Sequence, residues 1–474
     1  MKKNKPMKAK LLFITAILIM ISSFSSAQET NIKNFNLKDY VAPDIKYRTL
    51  DVGTNLSMSG YNQSSDDNQN SFGFNARLDY FDYRNTRKIQ SRSYSHLYTS
   101  FNSSWSKSDG SKGSNSSPSA QFNYLTETRL YNENKAFLGL HGDLNLYYTN
   151  SNSKDESYYY SYNHYKIEFT PYISGGKGRI EPVESARQAL DILISLQKYG
   201  RLSKTPDSSM IDSLARVANR IRYKRFFDTR YKRIYQLEEL DQAIQSMDMV
   251  DVADIVYFAN LSDIWNWAPT YARGSGLRIE GGIIPTYRYV KFDSKDDYQG
   301  NINNSTTKLN IYGAYGFFAL NRNRPVNYKW QSDIALDLTF GYAKEIEDRS
   351  TDGTNKNESE SLKGILNFNW QFGYYPNTRT FTGITPYIAT SFVDTKDSDN
   401  EKFGINTGIR FDSYYYISPR VRITLEASTF YRENFANSVP SPFWNTNYAR
   451  GSGYINPDRI ISYEILFKFS YAIL

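Results

Sequence analysis

His96, His141 and His164 are the three histidines of this chain and its most obvious proton-transfer groups near neutral pH. A catalytic histidine needs a nucleophile or an acid within hydrogen-bond reach. No GxSxG elbow, HExxH helix or acid pair of defined spacing accompanies any of the three. The sequence GGKG at 175–178 lacks the spacing of a phosphate-binding loop and reads as a strand-exit turn. With no cysteine, thiolate metal sites, a cysteine nucleophile and disulfides are excluded. No catalytic residue, metal or cofactor is therefore assigned.

A second chemical feature is basic. Arg222, Lys224, Arg225, Arg230, Lys232 and Arg233 place six cations, with only Asp228 against them, in twelve residues carrying interleaved aromatics. Alone, such a run would suit phosphates and bases. The start of the chain argues otherwise. Five lysines lie within 1–10, an apolar run follows at 11–24, and then SSAQ. This is the pattern of a secretory signal peptide spanning 1–27, cleaved after Ala27. An exported chain does not meet nucleic acid, so the run needs another role.

The elements that carry the remaining charges follow period two. In 50–60, Leu50, Val52, Thr54, Leu56 and Met58 alternate with Asp51, Gly53, Asn55, Ser57 and Ser59. In 71–80, Phe72, Phe74, Ala76, Leu78 and Tyr80 alternate with Ser71, Gly73, Asn75, Arg77 and Asp79. Successive side chains of a strand point to opposite faces, so each segment has one apolar and one polar face. Fourteen such segments are expected, near 47–61, 70–83, 89–105, 119–131, 135–150, 157–174, 275–293, 304–320, 328–346, 361–375, 380–394, 401–415, 420–432 and 457–473. Most exceed the roughly 9–11 residues that carry a tilted strand through a bilayer. Connections alternate between tight turns, such as YRNTRK and PNTR, and long polar stretches, such as SKSDGSKGSNSSPS and EDRSTDGTNKNESES. Forty-one tyrosines and 28 phenylalanines at a mean hydropathy of −0.61 suit a surface half apolar and half wet.

In these features the chain resembles a Gram-negative outer-membrane β-barrel protein of the porin-like kind, over 47–174 and 275–474. The resemblance departs at Leu474, where such barrels end on an aromatic; Phe469 and Tyr471 are the nearest here. It implies an all-β, antiparallel transmembrane barrel of about fourteen strands, facing outer-membrane lipid, with a periplasmic N-terminal segment at 28–46. Charges in the polar phase then face the lumen: Arg77, Asp79, Arg92, Asp143, Glu168, Arg278, Glu280, Arg288, Asp333, Asp337, Arg410, Arg422 and Glu426. Fourteen strands exceed the eight whose interior side chains just fill, so a wet lumen passing small polar solutes is expected ahead of the alternative in which the charges pair across the lumen and close it.

Between strands six and seven the period changes. Residues 175–274 form an α-helical insertion, which the turn count puts in the periplasm. Pro182 suits a first helical turn, with Ala186, Ala189, Leu190, Leu193 and Leu196 on one face and Gly200 as a stop. A second helix starts at Thr-Pro-Asp, 205–207, with Ile211, Leu214, Val217 and Ile221 along it; two more cover about 230–246 and 250–266. Residues 216–233 carry eight bases, whereas 234–272 carry seven acids and no base. The two blocks could face each other, with Phe226, Phe227 and Tyr231 in the core, or the basic block could dock an acidic periplasmic protein or cell-wall polymer. Three functions remain: a passive channel, a scaffold working through its insertion, and a rim lipid or peptide hydrolase using His96 or His141.

Overall fold

A computed structural model describes residues 35–62, 67–108, 111–224, 229–266, 273–351, 354–396, 402–418, 421–434 and 459–471. The expected signal peptide, 1–27, and Arg225, Phe226 and Phe227 lie outside them. Fourteen strands form one antiparallel sheet in sequence order: β1 (Ile45–Asn62), β2 (Asn68–Asn85), β3 (Ile89–Ser108), β4 (Ser111–Tyr131), β5 (Ala136–Lys154), β6 (Tyr158–Pro182), β7 (Gly274–Tyr298), β8 (Asn301–Pro325), β9 (Trp330–Ser350), β10 (Thr354–Tyr374), β11 (Thr380–Thr395), β12 (Lys402–Ser418), β13 (Val421–Glu433) and β14 (Ile460–Tyr471). Among the described residues, β1 pairs only with β2 and β14 only with β13. Side-chain bonds from β4 to β7 and from β6 to the β2–β3 region curl the sheet on itself.

The register keeps the two faces separate. Leu78 opposes Leu97, Leu97 opposes Phe122, Phe122 opposes Leu146, and Leu146 opposes Ile167, so one apolar band runs from strand to strand. Most of its members are exposed, including Leu78, Leu97, Ile283, Phe318, Leu338 and Phe340, and Phe122 is half-buried. A water-facing sheet does not carry an apolar band of this extent; a lipid-facing one does.

Three expectations change. SKSDGSKGSNSSPS and EDRSTDGTNKNESES are largely strand, with β3–β4 and β9–β10 continuing as paired ribbons almost to their tips. Polar composition marks solvent, and a solvated antiparallel ribbon satisfies its own backbone as well as a loop does. The helical insertion starts later than 175, because β6 runs through GGKG to Pro182, paired with the start of β7. Pro182 therefore ends a strand. There Gly178 and Gly276 take positive φ of 93° and 135°. A Cβ on either would lie 2.1 or 2.0 Å from a carbonyl oxygen of the other strand, so this close crossing requires glycine. The wet lumen is also incomplete. On the polar face of β6–β11, Tyr172, Ile284, Tyr315, Phe317, Ala319, Ala343, Ile365 and Ala389 form a buried cluster. Large apolar residues share the phase of the charges, and their packing fills that side of the interior.

Four helices follow β6: α1 (Glu184–Lys198), α2 (Ser208–Arg222), α3 (Thr229–Gln245) and α4 (Ile255–Asn266). Gly200 ends α1 at φ 64°. Asp207, rather than Thr205, caps α2 by accepting from the amides of Ser209 and Met210. These bonds hold the Asp207 carboxyl below its ordinary range. Their core includes Ile192, Leu193, Leu196, Ile211, Leu214, Leu240 and Tyr257, and residues 35–44 close it with Leu37, Tyr40 and Ala42.

Candidate functional site

All thirteen lumen candidates lie in the register opposite to the apolar band, but they form separate groups. The largest is centred on Glu280, only 1% exposed. Its carboxylate accepts from Arg129 Nε at 3.0 Å and Nη2 at 2.9 Å, from Ser174 Oγ at 2.6 Å, and contacts His141 Nε2 at 2.9 Å. Arg278 Nε lies 3.7 Å away. Glu127 extends the group, 3.4 Å from Arg129 and 3.9 Å from Arg92. Charges thus alternate from Arg92 through Glu127, Arg129 and Glu280 to Arg278, across strands β3, β4 and β7. Gly139 makes the room: a Cβ there would sit 2.0 Å from Ser174 Oγ and 2.5 Å from His141 Nε2.

This group contains serine, histidine and a carboxylate, yet not in a relay. Ser174 Oγ and Glu280 Oε1 both crowd Nε2 of His141, and its buried Nδ1 has no hydrogen-bond partner. Serine donates to the carboxylate instead of to an imidazole base. In a nucleophile triad the carboxylate holds the far nitrogen. Tyr172 stacks on the His141 ring at 4.4 Å and seals it.

A second group surrounds Asp79, which accepts from Tyr94 Oη at 2.7 Å and lies 2.6 Å from His96 Nδ1 and 2.9 Å from Arg77 Nε. Tyr94, His96 and Tyr98 stack along β3. His164 lies against Phe292 and Tyr147, with Nε2 buried and unbonded. The other candidates are spread around the sheet. Glu168 opposes Arg288 in register and accepts from Lys166 at 2.6 Å. Arg410 pairs with Asp412 at 2.7 Å, Glu426 with Lys468 at 2.8 Å, and Arg422 lies over Tyr416. Asp333 accepts from Gln331 at 2.6 Å; Asp337 is 2% exposed with Oδ1 unbonded. Asp143 opposes Thr170 in register.

The helical unit is fastened to the short-turn end of the sheet by residues outside every candidate set. Arg273, 1% exposed, donates to Gln331 Oε1 and to the carbonyls of Asn327, Tyr328 and Trp330 in the β8–β9 turn. Arg187 of α1 donates to the Asn377 carbonyl in the β10–β11 turn and packs over Tyr375. Tyr328 donates to Asp191, whose buried carboxyl is pushed up to about 6 by desolvation, against the pull of Arg187. No local pattern announced these residues. The nearest signal was an arginine at the end of the insertion, where no strand or helix period operates.

Several described members of the basic run have partners within the helical unit. Arg222 donates to Gln188, Lys224 lies 3.5 Å over the Tyr235 ring, and Arg233 donates to Ser262. Arg230 is exposed and Lys232 half-buried. The acidic block meets the basic one at Arg220–Glu239, 2.6 Å. Asp254 pairs with Arg201, and Asp263 with Arg379 of a sheet turn. Tyr231, expected in the core, is 66% exposed.

No family model and no curated protein matches this sequence. Two solved structures of outer-membrane β-barrels superpose loosely. One is the translocator domain of autotransporter NalP from Neisseria meningitidis, at 8% identity and TM-score 0.26, covering 87% of this chain and 97% of that one. The other is the ferric yersiniabactin uptake receptor FyuA from Yersinia pestis, at 6% identity and TM-score 0.33, covering 85% and 63%. The fold assignment rests on the strand pairing itself.

Proposed function

We propose that this chain is an outer-membrane β-barrel that passes small polar solutes, with its helical unit on the periplasmic side of the mouth. One observation carries the reading: a continuous exposed apolar band on one face and charged groups on the other, held in register across the sheet. In a bilayer every unpaired backbone group costs several kcal/mol, so the free edges of β1 and β14 must meet there. The packed interior along β6–β11 narrows the path to the side formed by β12–β14 and β1–β5. Purified protein in planar bilayers should give discrete ohmic steps smaller than an empty fourteen-stranded barrel allows. Well-folded protein that stays electrically silent would sink the proposal.

A second reading has its own support: the helical unit has a separate core and rigid fastenings, more than a turn needs. As a scaffold it would present the basic face around Lys232 to an anionic periplasmic protein or wall polymer. Replacing 184–272 by a short turn separates the two. If only conductance changes, and cells lose no envelope attachment, the scaffold reading fails. Hydrolysis gains no support from the His141 geometry; unchanged lipid and peptide turnover in H141A and H96A is the expected control.

A further inference from the structure

Between the helical unit and the polar face of the sheet lies a cavity of about 560 Å³. Its size falls within the usual range for small-molecule sites, roughly 300–1,000 Å³. Four arginines, Arg92, Arg129, Arg273 and Arg278, and two glutamates, Glu127 and Glu184, line it, leaving a surplus of positive charge. Two of those arginines are committed. Arg273 holds the β8–β9 turn, and Arg129 is bonded to Glu280.

Arg278 is different. The carboxylate it faces, Glu280, is 3.7 Å away and is already bonded to Arg129, Ser174 and His141. Arg278 Nε has no hydrogen-bond partner. Asn321, directly opposite Arg278 in the β7–β8 register and also in the cavity wall, has an unbonded Nδ2. Two adjacent buried donors without acceptors destabilise the fold unless something accepts from them. Four rings, Tyr47, Phe81, Tyr83 and Tyr223, share the rest of the wall with Ile45, Ile180, Pro182 and small polar residues. Tyr47 lies with its ring 5.5 Å from Tyr223 of the helical unit and 6.2 Å from Phe81.

We infer that this cavity is a binding site for a small aromatic anion, its acidic group held by Arg278 and Asn321 and its ring against Tyr47 and Tyr223. A charge-assisted bond to a guanidinium beside an amide suits a carboxylate, phosphonate or sulfonate. Stacking accounts for the aromatic wall. The inference goes beyond solute passage and stands without it, since binding here needs no conductance.

The test is isothermal titration of the full chain in detergent micelles with phenylphosphonate, alongside inorganic phosphate and neutral benzyl alcohol. Phenylphosphonate should bind saturably and more tightly than phosphate, and benzyl alcohol should not displace it. R278Q should weaken phenylphosphonate at least tenfold. Y223A, placed after α2 and outside the sheet, should weaken phenylphosphonate several-fold and leave phosphate unchanged. It serves as the deciding variant if R278Q does not fold. Absence of saturable binding overturns the inference, as does displacement by benzyl alcohol or an unchanged affinity in Y223A. Conductance is measured on the same preparations. A silent bilayer with intact binding refutes only the channel, and a conducting barrel without binding refutes only this site.

Discussion

Replacing Glu280 by glutamine removes one charge and almost no volume from the most buried ionic group in the sheet. Glu280 is 1% exposed and Arg129 3%, so solvent cannot replace what is lost. The native carboxylate takes two bonds from Arg129 and one from Ser174, and contacts His141 at 2.9 Å. Hydrogen bonds to a charged group contribute about 1.5–3 kcal/mol each. Leaving a buried partner uncompensated costs about 3–5 kcal/mol. Glutamine still accepts from Arg129, and Glu127 at 3.4 Å still shares that charge. We therefore expect E280Q to lose about 3 kcal/mol, at the low end of that range. The assay is urea unfolding of the full chain in phospholipid vesicles, followed by tryptophan fluorescence. The double variant R129M/E280M removes both charges and should cost less than R129M and E280M summed, by well over 1 kcal/mol. A cost for E280Q below about 0.5 kcal/mol, or strict additivity in the double variant, would refute the claim that this network is mutually compensated.

Two further outcomes can be checked together. G139A places a methyl 2.0 Å from Ser174 Oγ and 3.0 Å from Glu280 Oε1, both inside the buried network. It should destabilise the barrel by about 1–3 kcal/mol in the same unfolding assay, and the serine should relieve part of the clash in G139A/S174A. Asp191 titrates near 6 in the folded unit, above its ordinary value of 3.8, because burial disfavours its charge. The folded state therefore holds this proton more tightly. Docking of the helical unit should weaken as pH rises from about 4 to 6 and level off above, by at most about 3 kcal/mol. Hydrogen exchange of α1 at pH 5 and 7.5 measures this, and D191N should abolish the difference.

The strands were legible because alternation survives wherever one face meets lipid and the other does not. Leu50, Val52, Leu56 and Met58 fix both the existence of β1 and its register. Strand ends were less legible. Ser, Asn and Gly in 106–119 say that the segment is wet, and a wet ribbon and a wet loop have the same composition. The lumen candidates all fall on the face opposite the apolar band, since period two gives a face. It does not give the partner across the interior. Arg129 and Glu280 are 151 positions apart, and Ser174 carries no charge to draw attention. Ile284 and Phe317 share the phase of Arg278 and Glu280, so an inventory of charges alone missed the packing that fills part of the interior. Arg273 was invisible for another reason: its role depends on three carbonyls of one turn, and no side-chain pattern encodes carbonyl direction.

If the barrel conducts as proposed, the arrangement of charge also decides where it would discriminate between solutes. Arg77 with Asp79, Lys166 with Glu168 and Arg410 with Asp412 are neighbours two residues apart on one strand and one face. Each pair is neutral within a few ångströms, and water with salt screens what remains beyond about a Debye length. Such pairs keep a passage wet without strongly favouring either sign. The cavity under the helices differs in both respects. Its arginines outnumber its glutamates, and it is bounded by Tyr47, Tyr223 and the packed end of the sheet, where screening is weaker. Any preference for anions should therefore vary with Arg278 and stay nearly unchanged when Arg77 or Arg410 is neutralised together with its aspartate. Reversal potentials across a salt gradient distinguish the two cases. A preference that followed Arg77 would place the selective element among the strand pairs, against the electrostatics set out here.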